Sequence, residues 1–89
     1  FDKPQGTVES GFLFMSDLPV VTGEQAVSAF CKFGFCVVRI KGSHHIMKKS
    51  EHRNILVVPV HKGEDLKKGT LRGLIAAAEI TVDEFVAAL

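Results

Sequence analysis

The stretch that decides the fold is FCVVRIKGSHHIMKK, which runs from Phe35 to Lys49. Its first part, FCVVRI, is rich in the β-branched and aromatic residues that favour strands. HHIMKK can pair with it through the turn KGS, because Gly42 allows the backbone angles of a tight hairpin that a side chain would disfavour. We therefore predict two antiparallel strands joined by a short turn.

Downstream of the hairpin, the stretch NILVVPV at 54–60 predicts a third strand. Pro59 restricts that end to a sheet edge or a strand terminus, because proline has no N–H to donate to a neighbouring strand. Upstream, Thr22 and Gln25 form a capping-box pattern and Gly34 is a natural helix stop. A first helix is therefore expected between them, with one apolar stripe made of Ala26, Val27, Phe30 and Cys31.

The last third of the chain is predicted to be helical in two pieces. Thr81 with Glu84 makes a second capping box, so we expect a bend at Glu79-Ile80 between two helices. Each piece carries an apolar stripe at helical spacing. The first stripe is Leu71, Leu74, Ile75 and Ala78, and the second is Val82, Phe85, Val86 and Leu89.

The predicted order is helix, three strands, then helix, which is an α+β fold. An antiparallel sheet with its helices packed on one face leaves the other face open, and an extended ligand could lie there. A chain of 89 residues has room for one small core. We expect residues 18–89 to form this domain, and residues 1–17 to be an N-terminal extension or sequence foreign to the domain.

The formal net charge is only +1, but the charge is unevenly distributed. Between residues 41 and 72 there are eight basic residues against three acidic ones, a balance of +5, whereas the rest of the chain has three against seven, a balance of −4. A solvated surface is the commonest reason for a charge run. A polyanionic partner is the other reason, and RNA is therefore a candidate partner of this chain.

Other features narrow the class of protein. Cys31 and Cys36 are too far apart for a CxxC motif and lie among phenylalanines, so we predict buried free thiols in a reducing cytoplasm rather than a disulfide or a metal site. No histidine pair has the spacing of a zinc finger, and we predict no metal or other cofactor. No apolar run approaches a membrane span, and we expect a cytoplasmic protein with no membrane contact.

GFCVVRIKGSHHIM, followed by VVPVHKGEDLKKGTLRGLIAAAEITVDEF, resembles the HicA family of mRNA-cleaving toxins from toxin–antitoxin pairs. The resemblance covers roughly Leu18 to Leu89. It implies a fold like the double-stranded-RNA-binding domain, α-β-β-β-α, with mRNA as substrate and a HicB-type antitoxin as partner. The family's catalytic histidine after Gly-Ser corresponds to His44 and its turn glycine to Gly42.

Proton transfer is the chemistry that His44 could supply. RNA carries its own nucleophile, the 2′-hydroxyl, so cleavage needs a base, an acid and positive charge rather than a metal. Imidazole suits both proton transfers because its unperturbed pKa is about 6.5. In a strand, His44 and His45 point to opposite faces, so we assign the role to His44 and treat His45 as a strand residue. His61 is a second proton donor, a phosphate ligand or a loop residue that fixes its turn, and His52 is expected to be exposed.

Basic residues at the start of the final helical region form a second candidate site. In DLKKGTLR, Lys67, Lys68 and Arg72 would surround free backbone N–H groups that favour a phosphate, and Thr70 would contact the same group. Ordinary capping by Thr70 is the alternative. With the turn residues Lys41, Gly42 and Ser43, these residues make up the predicted RNA-binding set.

Two functions remain open at this point. One is a metal-independent endoribonuclease that acts as the toxin of a toxin–antitoxin pair. The other is a non-catalytic RNA-binding module that uses the same basic face. The sequence leaves open the cleavage preference, the stoichiometry with an antitoxin and the oligomeric state of the free protein.

Overall fold

The structure is a computed structural model that describes residues 18–89, so the predicted extension 1–17 lies outside the described residues. It confirms the α+β class, the order α-β-β-β-α and the three-stranded antiparallel sheet. The elements are α1 (Gly23–Cys31), β1 (Cys36–Lys41), β2 (His44–Lys48), β3 (Leu56–Pro59), α2 (Lys68–Ala78) and α3 (Val82–Ala87).

The helix ends follow the predicted capping signals. Thr22 is the N-cap of α1: its hydroxyl accepts from the Gln25 N–H at 3.2 Å, and the Gln25 side chain accepts from the Thr22 N–H at 2.9 Å. Thr81 and Glu84 repeat this box at the start of α3, at 3.0 and 2.8 Å. Glu79 ends α2 in a left-handed conformation with φ 61°, which confirms the predicted bend.

The sheet has the order β1-β2-β3 with antiparallel neighbours. The β1–β2 hairpin closes through Gly42 and Ser43, and Gly42 has φ 61°, a value that favours glycine at the first central position of a two-residue hairpin turn. A register shift between Val37 and Arg39 places a bulge in β1. The described helices cover one face of β2 and β3, as the burial of Met47, Leu56 and Val58 between more exposed neighbours shows.

The core lies between that face and the helices. Phe30 of α1 packs against the rings of Phe35 and Phe85, with centroids 6.3 and 5.2 Å away, and all three rings are fully buried. Met47, Leu56 and Val58 fill the sheet side and are also fully buried. The α2 stripe closes the core as predicted, with Leu71, Leu74, Ile75 and Ala78 all buried.

Four predicted burials are wrong. Cys31 is exposed because it lies about 100° further round α1 than Phe30, on the side away from the buried Ala26 and Ala29. Val86 is exposed for the same reason relative to Phe85, and Leu89 lies beyond the end of α3. Cys36 is also an exposed free thiol, since it begins β1 in register with the exposed Lys48.

Four chain segments meet at one end of the domain: the β1–β2 turn, the end of β3, the start of α1 and the approach to α2. The Val60 N–H donates to the Ser43 carbonyl at 2.7 Å, which ties the end of β3 to the hairpin turn. The start of α1 rests on the same place, because a Cβ at Gly23 would collide with the carbonyl oxygen of Pro59. The Leu66 N–H donates to the Val21 carbonyl at 2.8 Å, so the approach to α2 joins them. We call this region the turn end of the domain.

None of the helices in the described range 18–89 is both long enough and apolar enough to cross a membrane.

Candidate functional site

His44 begins β2 on the open face of the sheet. It is exposed and stands in register between Lys41 of β1 and Pro59 of β3. Gly42 and Ser43 precede it directly, so the tight hairpin turn fixes where the strand and its first side chain begin. The arrangement presents an imidazole to solvent beside a lysine at the turn end.

The open face around His44 is positively charged. Arg39 and Lys41 of β1 lie in register with Ile46 and His44 of β2, and Lys48 follows on the same side of β2. The three strands contain no carboxylate at all. A phosphate diester that approached this face would therefore meet cations without a competing negative charge from the strands.

His45 points to the other side of the sheet. It pairs in register with the buried Val58, and its side chain is half-buried. Its Nδ1 lies 3.4 Å from the carbonyl oxygen of Ser43, and since a carbonyl only accepts, Nδ1 carries the proton in this contact. The predicted separation of the two adjacent histidines onto opposite faces agrees with the register. Nothing in the sequence indicated the contact of His45 with Ser43.

His61 reaches the turn through Ser43. Its Nε2 lies 3.5 Å from the Ser43 hydroxyl oxygen, at the outer limit of a hydrogen bond. His61 is exposed and follows the end of β3, whose Pro59 pairs with His44. The structure thus brings His61 to the same turn as His44, and its direct neighbour there is Ser43.

The basic residues before and within α2 lie at the start of that helix, as predicted, and Lys67, Lys68 and Arg72 are exposed. The capping alternative is wrong in detail: Lys67 is the N-cap, without a side-chain cap, and the half-buried Thr70 lies inside the first turn. The first-turn N–H groups therefore lack a side-chain acceptor from the N-cap residue, and the N-cap and the first helical residue are both lysines.

The histidine cluster (His44 and His61) and the basic cluster at the start of α2 (Lys67, Lys68 and Arg72) both lie at the turn end of the domain. The hairpin turn contacts the end of β3, which contacts the start of α1, and the segment just before α1 is bonded to the segment just before α2. An isolated bridge between Thr22 and Asp65 strengthens the last link. Among residues 18–89 no hydrogen bond or ion pair joins His44 directly to Lys67, Lys68 or Arg72. A ligand long enough to touch both clusters would have to span this end.

His52 is not the exposed residue that we expected. Only 11% of its side chain is accessible, because the turn after β2 folds back and stacks its ring edge-on against Phe35 at 5.2 Å. Its Nδ1 accepts from the Asn54 N–H at 3.1 Å, and the Asn54 side chain donates to the Ala77 carbonyl at 2.9 Å. These contacts tie the β2–β3 connection to the end of α2, at the opposite end of β2 from His44.

Metal-ligating groups do not cluster in the described part of the chain. Between residues 18 and 89, no three His, Cys, Asp or Glu side chains come close enough together to hold an ion.

Residues 23–80 match a family model described as "HicA toxin of bacterial toxin-antitoxin". The match runs from the first residue of α1 to the bend after α2, so it contains the hairpin, His61 and the lysines before α2, and it covers more than half of the chain. No curated protein matches the sequence.

Proposed function

Because the chain belongs to the HicA family, the toxins of bacterial toxin–antitoxin pairs, we propose that it is a metal-independent endoribonuclease that cuts mRNA, with His44 as the general acid and base. Family membership makes it a toxin with an antitoxin partner. We further propose that the protein cuts mRNA in the cytoplasm and thereby inhibits translation. We also propose that its antitoxin is of the HicB type and covers the site.

The observation that carries this proposal is the placement of His44: an exposed imidazole on a sheet face without carboxylates, in register with Lys41. The substrate's 2′-hydroxyl attacks the adjacent phosphorus, and His44 takes its proton. The bond to the 5′-oxygen breaks, and a protonated imidazole donates to that oxygen. Lys41 stands where it can stabilise the extra negative charge of the transition state.

His61 is the second group that we assign to proton transfer. It is exposed and reaches the turn through Ser43, so it can act on the phosphate from the β3 side while His44 acts from β2. Two imidazoles allow one to begin as a base and the other as an acid, which a single ring can do only in sequence. Ser43 and the backbone of Gly42 would then contact the scissile phosphate.

The start of α2 supports binding to the rest of the RNA backbone. Lys67, Lys68 and Arg72 are exposed at a helix N-terminus whose first N–H groups have no side-chain cap, and Thr70 adds a hydroxyl in the same turn. Residues 18–89 offer little surface for base stacking, since they contain no Trp or Tyr and their four phenylalanines are buried or packed on the core. Phosphate contacts position RNA without reading its sequence, so we expect a weak sequence preference.

The chemistry of the product ends tests the proposal. An RNA strand incubated with the protein in EDTA should be cut and should end in a 2′,3′-cyclic phosphate, which mass spectrometry identifies. A DNA strand of the same sequence should survive, because it has no 2′-hydroxyl. Products with 5′-phosphate and 3′-hydroxyl ends, or activity lost on chelation, would instead mean a metal-activated water. RNA that is bound but never cut would identify a non-catalytic RNA-binding module.

A further inference from the structure

Strand β1 differs from its neighbours in being exposed along its whole length. All six of its residues are exposed, including Val38 at 54% and Ile40 at 59%. Ile40 stands in register with the half-buried His45, on the side of the sheet that faces the helices, yet the helices leave it uncovered. The strand therefore has one flank that is apolar and uncovered.

β1 is also an open edge of the sheet. Within residues 18–89 no strand pairs with it on the side away from β2. The opposite edge, β3, has four residues and ends in Pro59, against which the start of α1 packs. From Arg39 to Lys41 the β1–β2 register is regular, and β1 contains no proline. A regular edge with unpaired backbone groups can accept another strand.

We propose that the β1 edge binds an extended segment of a protein partner in which carboxylates alternate with apolar residues. Backbone hydrogen bonds would supply part of the affinity, and alternate side chains would supply the specificity. The carboxylates would face Arg39 and Lys41 on the open side, and the apolar residues would cover Val38 and Ile40.

Charge and apolarity select this occupant over two others. A second copy of β1 would bring two more cations to the open face and no carboxylate, because the strand contains Arg39 and Lys41 but no Asp or Glu. RNA phosphates could reach those two cations, but they would leave Val38 and Ile40 uncovered. A segment with carboxylates on one side and apolar side chains on the other matches both flanks.

A segment seated on this edge would lie beside Lys41, which is in register with His44. Its carboxylates would then occupy the positive charge that we assign to the phosphate, so the segment and RNA would exclude each other. This last step rests on the proposed function, whereas the docking itself does not. In a toxin–antitoxin pair the antitoxin is the protein expected to carry such a segment.

The probe for the docking test is a short fluorescent peptide of alternating valine and glutamate, measured by anisotropy with the full chain and no RNA. The control peptide has the same composition with valines and glutamates in separate blocks. Docking as a strand predicts that the alternating peptide binds more tightly and slows hydrogen exchange of the β1 amides in NMR spectra. Equal binding of both peptides, or unchanged exchange in β1, would overturn the proposal.

Charge reversal makes the test specific to β1. Arg39→Glu should weaken binding of the glutamate peptide roughly tenfold, since a favourable cross-strand pair becomes a repulsive one, and should improve binding of a valine–lysine peptide. Arg53→Glu is the matched control, because it changes the net charge equally on a side chain that is 85% exposed in the β2–β3 connection. Equal effects of the two substitutions would mean that the peptide senses only net charge, and the proposal would be wrong.

Competition is measured separately. If the peptide docks on β1, adding it to a cleavage reaction should slow RNA cutting by the wild-type chain. A docked peptide that leaves cleavage unchanged would refute the competition while the docking stands. RNA that protects the β1 amides where the peptide does not would assign this edge to RNA and overturn the docking.

Discussion

The two faces of the sheet are built from the same strands and have opposite properties. On the helix side, Met47, Leu56 and Val58 are fully buried. On the open side, His44 and Val57 are exposed on a face that carries cations. Because strand residues alternate between faces, a single chain segment supplies both the core and the proposed chemistry. Stability and activity should therefore respond to different substitutions.

The largest effect is expected from Phe30→Ala on the helix side. Phe30 is fully buried between Phe35 and Phe85, and removal of such a ring costs about 3–5 kcal/mol, a large share of the stability of a small domain. Urea unfolding should show a strongly lowered midpoint, and activity should fall with it. Val57→Ala on the open face is the control and should change the midpoint little. Equal losses for both would contradict the division between the faces.

A large effect on activity alone is expected from His44→Ala. Loss of a positioned acid–base group should reduce RNA cleavage by about 10²–10⁴-fold. The urea midpoint should stay near that of the wild type, because His44 is exposed. Cleavage rates and unfolding are measured on the same preparations. His45→Ala is the matched control on the other face. If the His45→Ala protein is folded but no longer cleaves RNA, and the His44→Ala protein still cleaves it, the acid–base role belongs to His45 on the covered side of the sheet.

A smaller effect is expected from Lys67→Ala combined with Lys68→Ala. If both lysines contact phosphates as proposed, their removal should weaken RNA binding and reduce the slope of log affinity against log salt by about 1.4–1.8, since fewer counterions are released. Binding titrations at several salt concentrations give the slope. Lys32→Ala with Arg53→Ala removes the same charge elsewhere and should leave the slope nearly unchanged. If the slope falls equally in both double variants, the start of α2 is not a preferred binding site for RNA.

The smallest effect is expected from Thr22→Ala at the N-cap of α1. Loss of this cap should lower the free energy of unfolding by about 1 kcal/mol, because the Gln25 N–H loses its side-chain acceptor. Thr70→Ala is the control, since Thr70 lies within α2 and is not its N-cap. Urea unfolding compares the two. An equal loss at Thr70 would indicate that its hydroxyl has a structural role beyond capping.

The sequence was sufficient to predict the elements because their ends depend on local chemistry. The capping boxes at Thr22 and Thr81 and the turn glycine Gly42 act through residues within three positions, and all three act as predicted. The placement of His44 and His45 on opposite faces also follows from strand alternation alone, provided that the strand is recognised.

Burial at the margins could not be predicted in the same way. Cys31 belongs to an apolar stripe by spacing, yet its exposure depends on how far the other elements extend around α1. His52 lies in a polar stretch, but the turn folds it onto Phe35, a contact between residues on opposite sides of the hairpin. The exposure of β1 likewise depends on where the helices end in space, which no local pattern encodes.

Gly23 illustrates how a scan of all single substitutions could mislead. It is a helix residue with no side chain, and alanine has a higher intrinsic helix propensity than glycine, so Gly23→Ala looks harmless from the sequence. Here a single methyl group would press on the Pro59 carbonyl and push α1 away from the strand that pairs with His44. Substitutions at Gly23 should therefore reduce toxicity, and a selection for inactive toxins would recover them beside true site residues. Proximity to the proposed site would then be mistaken for participation in it.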